Sequence, residues 1–248
     1  MKNFSYHNLT YILLLVMLTG FFSSCKKEDE QIKESSSLTI VNAISGGGTL
    51  VANFNANNKL QYYKTAQQIP AYNSATPFFQ FQGYTGSFPI SIYQFTDTLN
   101  SVYSGRINIT PGGIHSLFLT GTSAAVDTIF TRDKIPLLVA ADSLIGVRFV
   151  NASKGSMPLS INLGNQISIP IEASLPYKGV SAFKTYSLKK SVTGYNFEVR
   201  EASTSKLIAT YTLNSLTTLP NRNFTLVLRG FPGGTGANAQ SVFMVKNY

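Results

Sequence analysis

Side chains able to do acid–base or covalent chemistry are few in this chain: two histidines, His7 and His115, one cysteine, Cys25, and eleven carboxylates. A relay of nucleophile, histidine and carboxylate would have to be built on His115. That residue opens a stretch that reads as a strand, and no nucleophile motif surrounds it. An exposed or half-buried strand histidine is the expected state. One cysteine and two histidines cannot assemble a zinc cluster. A glycoside hydrolase needs two carboxylates facing one bond, and the candidates Glu198 and Glu201 are close neighbours of Arg200 on an expected surface strand and turn. Gly233 to Gly236 reads GGTG, but no Lys-Ser/Thr pair or helix start follows, so it is not a phosphate loop. The expectation is a protein that is not an enzyme, with no cofactor and no metal.

Cys25 has a different chemistry. It follows Lys2, an apolar core from Leu9 to Phe22, and the small residues Ser23 and Ser24. A short basic start, an apolar segment too short to span a bilayer comfortably and small residues at its end describe a secretory signal. With Cys25 at its end this segment resembles a bacterial lipobox. The resemblance implies cleavage before Cys25, a diacylglycerol on its thiol and an acyl group on its amine. The following Lys26-Lys27-Glu28-Asp29-Glu30 resembles the export signal of Bacteroidetes surface lipoproteins, with Lys27, Glu28, Asp29 and Glu30 as its residues. A solvated charge run in a tether would look the same. Residues 1–24 are therefore expected to be a signal peptide and residues 25–37 a flexible tether. The expected location is the outer membrane, lipid-anchored and exposed at the cell surface, otherwise on the periplasmic face.

The elements behind these residues follow from composition and period. The chain has 248 residues, 12% charged and 12% aromatic. Beyond the N-terminal segment no apolar run is long enough for a membrane-spanning helix. From Leu38 onward, short alternating stretches separated by Gly, Asn, Ser and Pro read as strands: Leu38 to Ala43, Phe88 to Phe95, His115 to Thr120, Val147 to Val150, Tyr195 to Arg200 and Phe224 to Arg229. No segment keeps a helical period. The pattern repeats. Val41-Asn42-Ala43 recurs as Val150-Asn151-Ala152, and Ser116 to Gly121 recurs as Thr225 to Gly230, both at an offset of 109. Phe88 matches Tyr195, Tyr103 matches Tyr211 and Pro70 matches Pro176, at offsets of 107, 108 and 106. Each copy closes with one more strand, Val126 to Thr131 and Ser241 to Val245, the second reached through a longer Gly-rich loop. Two tandem β-sandwich domains are expected, at 38–132 and 133–248, with a linker at about 133–143. VRFVNAS at Val147 to Ser153, Pro176-Tyr177 and FTLVLRG resemble domain-of-unknown-function family 4397, with a weaker copy in LTIVNAIS and HSLFLTG. That resemblance implies an all-β fold of two tandem immunoglobulin-like antiparallel β-sandwich domains, found on secreted or lipid-anchored bacterial proteins and without established catalytic residues.

Charge and surface motifs supply the remaining candidates. Leu38 to Arg132 carries a net +2 and Asp133 to Tyr248 a net +7. The second copy is thereby expected to offer a surface for an anionic polymer or glycan, with Lys178, Lys184, Lys189, Lys190 and Arg200 as its bases. No nucleic-acid motif accompanies them. Tyr62, Tyr63, Tyr72, Phe78, Phe79, Phe81 and Tyr84 cluster in the first copy, mostly as expected packing. Asp97-Thr98-Leu99, Asp127-Thr128-Ile129 and Asp142-Ser143-Leu144 resemble a Bacteroidetes O-glycosylation motif, with Thr98, Thr128 and Ser143 as acceptors; a strand-leading turn gives the same triplet. The sequence thus reads as a non-catalytic surface lipoprotein acting as a binding or envelope-structural module. The alternative is an accessory glycan-binding lipoprotein of a polysaccharide uptake system, its partners the membrane through Cys25 and an anionic surface polymer or glycan.

Overall fold

The computed structural model describes residues 35–55, 66–83, 85–164, 166–189, 192–215 and 217–247. Cys25 and Lys27 to Glu30 lie outside them. Residues Ser35–Tyr248 form one compact unit. It is built of strands with two single 3-10 turns, Ala140–Asp142 and Gly236–Asn238. The first copy contributes β1 (Ser37–Asn42), β2 (Leu50–Asn53), β3 (Gln68–Ile69), β4 (Phe78–Gln82), β5 (Gly86–Gln94), β6 (Asp97–Ile109), β7 (Ile114–Thr122) and β8 (Ala125–Arg132). The second contributes β9 (Leu144–Asn151), β10 (Leu159–Leu163), β11 (Glu172–Leu175), β12 (Lys184–Ser187), β13 (Gly194–Glu201), β14 (Leu207–Asn214), β15 (Arg222–Arg229) and β16 (Ser241–Lys246).

Four four-stranded sheets result, and the second copy repeats the order of the first. β4-β1-β7-β8 corresponds to β12-β9-β15-β16, and β3-β2-β5-β6 to β11-β10-β13-β14. Among the described residues no sheet mixes strands of the two copies. The offset of 109 is reproduced in the pairing itself, since Val41 lies opposite Phe118 and Val150 opposite Val227. One equivalence needs correction. Ile92 pairs with Tyr103, and Val199, its counterpart, pairs with Ala209 rather than Tyr211. The error of two residues keeps the same face of the strand, because side chains alternate with period two.

The expectation of antiparallel sandwiches also needs correction. β1 runs parallel to β7 and β9 parallel to β15. Parallel neighbours require a long crossover, and here strands of the facing sheet supply it. Within each copy the two sheets enclose an apolar core. Leu38, Ile40, Ile90, Ile92, Leu117 and Leu119 fill the first, and Val147, Phe149, Ile161, Phe197, Leu226 and Leu228 the second.

A third core joins the copies. Val41, Ala43, Phe118 and Ile129 pack with Val150, Ala152, Val227 and Val245. These side chains alternate with those of the inner cores, so the central strands are covered on both faces. β1 and β9 are accordingly buried at nearly every position. Polar groups in this seam are paired. Arg148 Nη1 donates to Asp133 Oδ1 at 2.7 Å, and Ser116 Oγ donates to Asp133 Oδ2 at 2.6 Å. Arg148 Nε donates to Thr225 Oγ1 at 2.9 Å. Thr120 Oγ1 donates to the carbonyl of Ala152. Arg148, in the middle of β9, meets Ser116 near the start of β7, and Ala152, four residues on, meets Thr120, also four residues on, so equivalent strands of the two copies point the same way.

The repeated Asn shapes the turn that ends its strand. Asn42 Oδ1 accepts from Ile44 N at 3.3 Å, and Asn151 Oδ1 accepts from Ser153 N at 3.1 Å. The side-chain amides donate to the carbonyls of Gly48 and Leu175. Both asparagines are fully buried.

Candidate functional site

His115 is buried, not exposed or half-buried as expected. β7 is an inner strand, and the imidazole lies under Phe130, stacked at 5.5 Å and 7°. Burial pushes its pKa below the ordinary histidine value, against the attraction of Asp133. Nε2 lies 3.4 Å from Thr110 Oγ1, and Nδ1 has no hydrogen-bond partner. Among the described residues no group of three or more His, Cys, Asp or Glu could hold a metal. Glu198 is clamped by Arg200, whose Nε and Nη2 donate to Oε2 at 3.0 and 2.9 Å. Glu201 Oε2 accepts instead from Thr204 Oγ1, so these two carboxylates are held by separate partners.

The five candidate bases are not brought together. Lys178 donates to Asp127 Oδ1 at 2.6 Å, bridging the two copies. Burial pushes the Asp127 carboxyl up, but the hydrogen bonds from Lys178, Thr128 N and Tyr177 leave it below the usual carboxylate value. Tyr177, half-buried and donating to Asp127, is pushed up to about 12. Lys184, on the edge strand β12, donates to the carbonyl of Ile171. Lys189 is exposed just beyond β12, and Lys190 lies outside the described residues. Arg200 belongs to the facing sheet.

The glycosylation triplets fall in different settings. Thr98 is the second residue of β6, just past the β5–β6 turn, where Asp97 Oδ1 accepts from Leu99 N and Asn100 N. Thr128 follows the Asp127 that holds Lys178, and Ser143 closes a 3-10 turn at φ 50°. All three side chains are half-buried. The aromatics of the first copy are largely packing: Phe54, Phe79, Phe81 and Phe88 meet edge-on against the core. Phe78 joins the seam. Tyr72 lies under the buried guanidinium of Arg229, 3.6 Å from ring centroid to Cζ. Tyr62, Tyr63 and Tyr84 lie outside the described residues.

Two clefts open at opposite ends of the second sandwich. The first, about 380 Å³, is walled by the β9–β10 loop, the β13–β14 hairpin and the β15–β16 loop. Met157, Phe231 and Pro232 give it apolar surface, and Glu201, Lys206 and Gln240 polar groups. The β15–β16 loop is tightly folded. Phe231 N donates to Asn238 O and Gly234 N to Phe231 O, at 3.0 and 2.9 Å. A Cβ on Gly234 would collide with the carbonyl of Asn238, so only glycine fits. The equivalent β7–β8 connection of the first copy is a short hairpin turn. The extra loop was legible as a Gly-rich insertion in the second copy; that it forms a wall with Met157 and Lys206 was not, because those residues are remote in sequence.

The second cleft, about 460 Å³, lies where β14 and β16 leave the sandwich open. Tyr211, Phe224 and Met244 line it, and Leu219, Arg222 and Lys246 form its rim.

No protein-family model matches the chain, family 4397 included. No curated protein matches it in sequence. Among solved structures, a family-26 carbohydrate-binding module from Eubacterium rectale, in complex with maltoheptaose, aligns over 86% of this chain and 97% of its own, at 5% identity and a TM-score of 0.26. The Bacillus anthracis TIE protein aligns over 86% of this chain and 44% of its own, at 10% identity and a TM-score of 0.23. A putative polysaccharide-binding protein from Bacteroides thetaiotaomicron aligns over 82% of this chain and 94% of its own, at 10% identity and a TM-score of 0.20. Scores of this size do not establish a shared fold.

Proposed function

We propose that the chain is a non-catalytic polysaccharide-binding module of a surface lipoprotein, anchored through Cys25. The observation that carries the reading is the loop insertion of the second copy. A duplicated scaffold keeps its sheets and varies its loops where it makes contacts, and this insertion supplies one wall of the 380 Å³ cleft. The lining suits a sugar: flat apolar groups, Phe231 and Pro232, beside a carboxylate, an ammonium and an amide able to meet hydroxyls. The cleft lies at the end of the stack opposite to residue 35, where the chain enters the folded unit.

The test is affinity electrophoresis of the chain from residue 25 onward in gels carrying neutral or acidic polysaccharides. At least one polysaccharide should retard it, and Phe231→Ala or Gln240→Ala should weaken that retardation about tenfold. Absence of retardation by every polysaccharide, or retardation unchanged in both variants, overturns the reading. The anchor has its own test: a fatty-acid probe should label the chain in cells and fail to label Cys25→Ala. The second reading, an envelope-structural module, is favoured by the paired and buried seam between the copies and takes over if no polysaccharide binds.

A further inference from the structure

The structure is polar from end to end. β1, β7, β9 and β15 all begin at the end where the chain enters the unit. The segment 133–143, the β10–β11, β12–β13 and β14–β15 connections and the end of β16 lie at the same end. Asn221 N bonds Leu144 O, Leu188 N bonds Ser143 O and Asn247 N bonds Asn223 O, which ties these loops together. Large apolar side chains stand in water here: Leu137 is 96% exposed, Ile169 76%, Leu219 67% and Val139 60%.

Charge divides along the same axis. At the far end Lys154, Lys178, Arg200 and Lys206 are matched by Asp97, Asp127, Glu198 and Glu201, and the further cation, Arg229, is buried. At the entry end Arg132, Lys134, Lys189, Arg222 and Lys246 are exposed, none in an ion pair among the described residues. The acids there are Asp142 and the half-buried Glu172, besides Asp133, which Arg148 neutralises.

We infer that this end is a membrane-resting face, occupied by the anionic headgroup surface of the bilayer that holds the tether. Exposed apolar side chains ringed by unpaired cations match a headgroup layer, into which leucines insert while lysines and arginines meet phosphates. The distance allows it. The twelve residue-to-residue steps from Cys25 to Ser37 reach at most about 40 Å when fully extended, and the chain enters the unit on this face. The location, but not the assay, rests on the anchor proposed above.

The assay is co-sedimentation of the chain from residue 25 onward, carrying Cys25→Ser so that no acyl group contributes, with vesicles of phosphatidylcholine alone or with about one-third phosphatidylglycerol. Binding should require the anionic lipid and fall as salt rises, since exposed charges are screened over about 10 Å at 0.1 M. Arg222→Glu and Lys246→Glu should each weaken it about tenfold, and Leu137→Ser together with Leu219→Ser should do so at constant charge. Lys154→Glu makes the same charge change at the far end and should leave binding intact. Failure to bind anionic vesicles, equal loss in Lys154→Glu, or binding to acidic polysaccharide without binding to vesicles overturns the inference. Because the polysaccharide gels read the opposite end, either proposal can fail while the other stands.

Discussion

His115 and the Asp133–Arg148 pair show how single residues carry the stability of this stack. With its pKa lowered by burial, His115 stays neutral in the folded chain while the unfolded chain takes up a proton near the ordinary value of about 6.5. Protons therefore favour the unfolded state. The stability that depends on neutral His115 is complete above about pH 6.5 and is lost as pH falls below it toward the lowered folded value. The Tm of the chain from residue 25 onward, where His115 is the only histidine, should drop between pH 7 and pH 5, and His115→Phe should flatten that dependence; an unchanged slope refutes the assignment. Asp133 and Arg148 are both buried, so removing one partner strands the other charge. Asp133→Asn should cost about 3 kcal/mol in urea unfolding. The double replacement Asp133→Leu with Arg148→Met should recover most of that loss, because it removes both desolvated charges together. A double variant as unstable as the single one would show that the pair itself stabilises.

At the level of elements, the strands that the sequence displayed best are those with a covered face, β1, β5, β7, β9, β13 and β15, where apolar residues are dense. β3 and β12 were invisible because they are short edge strands, and β12 reads Lys-Thr-Tyr-Ser, which has no apolar period. The duplication was legible because the offset survives in residues that pair across the sheet. The parallel pairing was not, since β1 and β7 meet across a wide sequence separation that no local pattern encodes. Nor was the seam foreseen, although near-continuous apolar runs such as Val147 to Val150 are what a strand buried on both faces requires. The candidate site was less legible still: its loop was visible, its partners were not. Gly121 and Gly230, which close the repeated stretches, both have positive φ, 87° and 93°. A Cβ at either would collide with a backbone carbonyl, of Ala125 or Ala239. Gly121→Ala and Gly230→Ala should each destabilise by about 1–3 kcal/mol, the cost of a strained backbone, in thermal unfolding; a neutral result at either would mean that the hairpin shifts to accept it.

Across the whole molecule the question is whether two copies make two independent bodies. Separate sandwiches joined by a linker would unfold separately and survive cleavage as fragments. The seam argues otherwise. Phe118, Val41, Val150 and Val227 are essentially inaccessible to water, and each would be uncovered if the copies parted. The segment that would serve as a linker is itself tied down, Asp133 through Arg148 and Pro136 through Asn223 Nδ2, which donates to its carbonyl at 3.2 Å. Tyr72 under Arg229 and Asp127 with Lys178 add contacts at the far end. Each of these four apolar side chains is worth about 1.5–3 kcal/mol of burial, which together is comparable with the whole stability of a small domain. Calorimetry should therefore show one transition for the chain from residue 25 onward. Phe118→Ala, which opens a cavity in the seam while leaving both inner cores intact, should cost about 3–5 kcal/mol and split that transition in two. Proteolysis within 134–139, where Lys134, Leu137 and Val139 are exposed, should nick the chain without releasing halves, so that the cut protein still elutes as one species on gel filtration. Two transitions in the unmutated protein, or separate fragments after a single cut, would mean that the seam is too weak to couple the copies, and the polarity of the stack would then be lost with it.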